Sequence, residues 1–162
     1  MSGSLSWNLR RRTLQLYWGS IATGALLPLV VDLVVAATRR GQMPAQYFEG
    51  FYLRLFAPQE SVLMLTLLGG APFLLFGVFA LIHLGTTHRH GETLASRRRF
   101  ALQLAFAAMV ALSTWGHYSI MTARGSTAAL GFLFLPFYVL ATGVVAYAAG
   151  RWFKRFRHGP AG

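Results

Sequence analysis

A chain of 162 residues would suit one soluble domain, but 55% hydrophobic residues against 12% charged ones is far from a soluble average and points to lipid as the solvent. Fifteen Lys plus Arg against four Asp plus Glu give a net charge of +11. The cations stand at the ends of apolar runs, so anionic lipid head groups are the expected partners and nucleic acid is not; the absence of cysteine excludes disulfide frameworks, CxxC redox chemistry and thiolate metal sites.

Four apolar runs follow one another, each about the twenty residues that cross roughly 30 Å of hydrocarbon as a helix. The first covers 13–38 and contains one formal charge, Asp32; the others cover 61–84, 100–121 and 127–150 and contain none. The pattern predicts an all-α polytopic membrane protein, a four-transmembrane-helix bundle occupying 1–162 as a single domain, with a basic tail at 151–162. Pro28, Pro72 and Pro136 interrupt three of the spans, which lipid-embedded helices tolerate when a neighbour satisfies the freed carbonyl. Arg10, Arg11 and Arg12 ahead of the first run look like the start of a signal peptide, but the run is too long for one, and the first span is read as retained.

Orientation follows from the distribution of cations. Arg10, Arg11 and Arg12 precede the first span; Arg89, Arg97, Arg98 and Arg99 lie in the middle connection; Arg151, Lys154, Arg155 and Arg157 follow the fourth span. These eleven outnumber Arg39, Arg40, Arg54 and Arg124 on the opposite side, which places both termini in the cytoplasm. Arg10, Arg11, Arg12, Arg97, Arg98, Arg99, Arg151, Lys154, Arg155 and Arg157 are the expected contacts to anionic lipid.

The first connection predicts a short helix lying in the outer interface over 44–57. Tyr47, Phe48, Phe51, Tyr52, Leu55 and Phe56 recur on about half of a 3.6-residue wheel, with Leu53 the exception, and Pro44 suits the first turn. Tyr47, Phe48, Phe51, Tyr52 and Phe56 are thus expected at head-group depth, either as an anchor that fixes tilt or as a docking surface for a partner subunit. Small residues recur four apart at Ser20 and Gly24, at Ala101 and Ala105, and at Thr142, Ala146 and Gly150, while Gly69-Gly70-Ala71 smooths the second span. Such rows let helix backbones approach closely.

Motifs that would carry chemistry are missing: the chain has no GxGxxG, Walker loop, HExxH or GxSxG. His88-Arg89-His90 lacks the supporting carboxylate or thiol of a metal site, and His83 and His117 fall near opposite membrane faces, so no metal and no cofactor are expected. Asp32 stands out. Counting back from residue 38 places it ~9 Å inside the outer end of its helix, where an ionised carboxylate costs about 3 kcal/mol and faces the negative end of the helix dipole. Its expected partners by depth and side are His117 and Arg124, giving an intramembrane polar cluster of Asp32, His117 and Arg124.

Two functional readings follow. The first is a non-enzymatic accessory, scaffold or assembly subunit of a larger inner-membrane complex. The second is a small homo-oligomeric channel or transporter with Asp32 and His117 on a polar path. A lipid-processing enzyme using Asp32, Glu49 and His117 ranks below both.

Overall fold

A computed structural model describes residues 3–56, 62–87, 92–123 and 127–157. Among them lie four long helices: α1 (Gly3–Arg39), α4 (Val62–Thr87), α5 (Glu92–Thr122) and α6 (Thr127–Arg157). Two short helices, α2 (Pro44–Glu49) and α3 (Phe51–Leu55), lie between α1 and α4. Each long helix contains a stretch long and apolar enough to cross a membrane: Leu14–Arg39, Leu63–Leu84, Arg97–Thr122 and Leu130–Phe153. The chain is an all-α bundle of four such helices, and it is an integral membrane protein by that architecture.

Glycine contacts fix how the helices pair. A Cβ on Gly24 would sit 2.9 Å from Phe73 and 3.1 Å from the Gly70 backbone, and one on Gly77 would run into Ser20. Gly69 meets Pro28. Positions on α4 therefore fall as those on α1 rise, and the two helices are antiparallel. In the same way Gly131 meets Ile120, Gly143 meets Met109 and Gly150 meets Ala101, so α5 and α6 are antiparallel. Small side chains are what permit this. Gly24 and Gly70 bring two backbones into direct contact, and Gly150 does the same against Ala101, gaining dispersion contacts that larger residues would forbid.

These two hairpins, α1 with α4 and α5 with α6, are the closest pairings in the molecule, and the seam between α1 and α5 is looser. The core where the hairpins meet is filled by Phe73, Phe76, Ala80, Leu102, Ala105, Met109, Leu135 and Val139, with Phe106 stacked on Phe76. Large apolar side chains on the outer faces, among them Leu26, Leu67, Leu75, Ile82, Leu133, Phe137 and Val144, are exposed, as suits a lipid solvent. Pro28, Pro72 and Pro136 sit inside continuous helices.

The turn after α1 decides where the following segment goes. Gly41 adopts φ +65°, a left-handed conformation that a side chain would strain, and the Gln42 N–H returns to the Ala36 carbonyl at 3.1 Å. Pro44 then opens α2 in its first turn, and the Gln46 carboxamide accepts a hydrogen bond from the Met43 N–H at 3.1 Å. The chain thus folds back over the end of the bundle. The single helix expected over 44–57 is instead two, broken at Gly50, which caps α2.

Candidate functional site

Two polar groups are set into this end of the bundle. Asp32 lies on α1 two turns before its end, half-buried, and its Oδ2 accepts a hydrogen bond from the Tyr47 hydroxyl at 2.7 Å. Tyr47 is only 3% exposed; α2 packs against α1, and the ring lies edge-on to Phe48. The arrangement reflects how a tyrosine is buried: the ring goes to the apolar side and the hydroxyl must find a polar partner. Arg39, at the end of α1, reaches the Tyr118 hydroxyl of α5 at 3.4 Å and links the two hairpins at the same level.

The second group is His117, 1% exposed at the centre of the bundle. Its Nδ1 lies 2.8 Å from the Ser113 carbonyl oxygen and 3.2 Å from Ser113 Oγ, one turn back on α5. A carbonyl can only accept, so the first contact places the proton on Nδ1. Gly69 makes the space for the ring, since a Cβ there would stand 2.7 Å from Nε2, and Phe132 of α6 closes another side at 6.1 Å between ring centroids. Gly69 also faces Pro28, so α1, α4, α5 and α6 all converge on the imidazole.

The structure gives Asp32 and His117 hydrogen-bond partners other than each other. No hydrogen bond joins the two; the imidazole turns to Ser113 and the carboxylate to Tyr47. Arg124 lies outside the described residues. Tyr47 is a partner of Asp32 that the sequence pattern does not point to. On the wheel it falls with its aromatic neighbours, although Gly41 and Pro44 ahead of it mark a chain reversal that returns it to the end of α1.

Other expected positions divide clearly. Phe48, Tyr52 and Phe56 are exposed, Phe51 is half-buried, and Leu53, the exception on the wheel, is exposed as well. Tyr47 alone of the five expected anchor aromatics is buried, which removes it from the outward-facing set. At the opposite end Arg11 and Arg151 are exposed while Arg97, Arg98 and Arg99 are partly covered. Arg10 and Arg12 fall on α1 and Lys154, Arg155 and Arg157 on α6, with their side chains outside the described residues, as is His88-Arg89-His90. Also at this end, the Tyr147 hydroxyl is hydrogen-bonded to His83 Nε2, and Phe79 stacks on that imidazole at 5.2 Å. No group of three or more His, Asp or Glu able to hold a metal occurs among the described residues.

The fold and these groups define a small integral-membrane helical bundle with a tethered aromatic segment at one end and clustered arginines at the other. Comparison with protein-family models, curated proteins and solved structures finds no match to this chain.

Proposed function

We propose that this chain is a non-enzymatic accessory, scaffold or assembly subunit of a larger membrane complex, in a bacterial inner membrane with both termini in the cytoplasm. The observation that carries the reading is the Tyr47–Asp32 hydrogen bond together with what it leaves facing outward. The bond fixes α2 over the bundle end, and Phe48, Tyr52, Leu53 and Phe56 then stand exposed on a segment whose position is set by the rest of the fold. Aromatic side chains held in place lose little conformational freedom on contact, which suits a docking surface. The excess of cations at the other end supports the orientation, with the α2–α3 segment outside.

The alternative, a small oligomeric channel or transporter, would use Asp32 and His117. What speaks against a path within one chain is the filled core and the lack of any direct bond between these two groups. A photo-activatable phenylalanine analogue placed at Tyr52 or Phe56 tests the proposal in cells. Adducts with one unlike membrane polypeptide, absent when the analogue replaces the lipid-facing Val144, are the expected result. Adducts only with lipid, or only with copies of this chain, would overturn it, and the second outcome accompanied by solute flux in liposomes would favour the transport reading.

A further inference from the structure

We propose that the cleft between α1 and α5 at the arginine-rich end holds one anionic glycerophospholipid, with its phosphodiester on Arg99 and an acyl chain lying over Gly19. The cleft has a volume of about 350 Å³ and is lined by Gln15, Leu16, Gly19, Arg99, Gln103 and Phe106. That is within the roughly 300–1,000 Å³ of small-molecule pockets. It exists because the two hairpins pack tightly within themselves and loosely where α1 meets α5.

Its lining is graded with depth. Gln15 and Arg99 stand within two residues of the starts of their spans, Leu14 and Arg97, at the level of the head groups. At 1.5 Å per residue Gly19 is about 6 Å further in than Gln15, and Phe106 about 10 Å further in than Arg99. Gln15 and Arg99 at the margin and Phe106 at the deepest point, with Gln103 between, match the two halves of a phospholipid and its ester linkages. Arg99, Gln103 and Phe106 follow one another at helical spacings of four and three, so one face of α5 presents the whole gradient.

The chemistry of the polar part selects an anion. It contains a guanidinium and two carboxamides and no carboxylate. Arg99 offers a planar fork of donors that fits phosphate oxygens, and each carboxamide can donate to a phosphate or ester oxygen. None of Gln15, Arg99 and Gln103 donates a side-chain hydrogen bond to another described residue. Gln103 lies about 9 Å inside the start of its span, where a carboxamide without a partner is costly, and a lipid oxygen supplies one. The same seam opens again at the other end as an apolar groove lined by Val30, Val31, Val34, Thr114, Trp115 and Tyr118, and no cation is among its lining residues. The preference for an anion is thus a property of one end of the seam.

Gly19 provides the decisive variant. A Cβ at that position meets nothing within 4 Å, so Gly19→Leu starts its side chain in open space at the cleft, and leucine favours a helix over glycine. The experiment is native mass spectrometry of the full chain in detergent with equimolar phosphatidylglycerol and phosphatidylcholine, with thermal unfolding of each variant as the folding check. One phosphatidylglycerol should be retained per chain, several-fold over phosphatidylcholine. Gly19→Leu should lose at least five-fold in occupancy, Arg99→Gln should lose the preference between the two lipids, and Arg40→Gln, at an exposed arginine of the opposite end, should change neither. Equal retention of both lipids by the unaltered chain, no loss on Gly19→Leu, or equal effects of Arg99→Gln and Arg40→Gln would overturn the site. So would dissociation of a homo-oligomer on Gly19→Leu, which would make the cleft a contact between copies. None of these outcomes depends on the accessory role proposed above, which the cross-linking experiment tests separately.

Discussion

The Tyr47 hydroxyl stands 2.7 Å from Asp32 Oδ2, so the only acidic residue of α1 is joined to a helix that begins five residues after α1 ends. Removing the hydroxyl alone, by Tyr47→Phe, should cost about 1–2 kcal/mol, measured by reversible unfolding in mixed detergent micelles. Asp32→Asn should be milder than Asp32→Ala because the amide still accepts a hydrogen bond. In a double-mutant cycle the two sites should couple by about 1 kcal/mol; additive losses would mean the bond contributes nothing.

The coupling of Asp32 to His117 should be weaker than that to Tyr47, since no hydrogen bond joins them. His117→Ala alone should still cost about 2–4 kcal/mol, as it empties a site enclosed by four helices and leaves the Ser113 groups without their partner. Equal coupling of Asp32 to both residues would restore the direct pairing expected from the sequence.

Glycine substitutions on α1 should divide by face. Gly24→Ala forces α1 away from Gly70 and Phe73 and should cost about 1–3 kcal/mol. Gly19→Ala meets open space and should be neutral or stabilising by up to about 1 kcal/mol, the ordinary helix preference for alanine. Thermal midpoints of the two variants, read side by side, check this; equal midpoints would mean that α1 does not pack on α4 through Gly24.

A chain without cysteine allows single-cysteine scanning on the native background. With an impermeant maleimide on intact cells, Tyr52→Cys should label from outside and Trp152→Cys only after the membrane is opened. Both native side chains are exposed, at 75% and 60%, so access is set by side and not by burial. The opposite pattern would invert the orientation, and a fluorescent reporter fused after Gly162, expected to light in the cytoplasm, gives an independent check.

How much of this was legible in the sequence depended on the range of the interaction. Span number, approximate limits and the smooth positions at Ser20, Gly24, Ala101 and Gly150 follow from hydropathy and from residue size, which are local properties. The partner of Asp32 was not legible, because depth and side leave several candidates and the choice was made by a turn. Gly41 and Pro44 carried that information, but as backbone geometry rather than as a charge to be matched. The interfacial segment failed in a similar way: the wheel treated 44–57 as one rod, whereas the break at Gly50 and the burial of Tyr47 divide its aromatics between the bundle and the outside. The cleft at Gly19 was invisible for another reason. Nothing in a single helix indicates how tightly its second neighbour packs.

The pairing of spans that are consecutive along the chain also bears on how the molecule is made. The contacts that bury Gly24 against Gly70, and Gly150 against Ala101, join segments that leave the ribosome one after the other. The connection is only 123–126 in the second hairpin and is confined to 40–61 in the first, which keeps contact order low, so neither hairpin has to await distant residues before it closes. Biogenesis can then proceed in two rounds, the first completed once α4 has emerged and the second when α6 joins α5. Only the last event, the meeting of the two halves around His117, requires the whole polypeptide, and it takes place laterally within the bilayer.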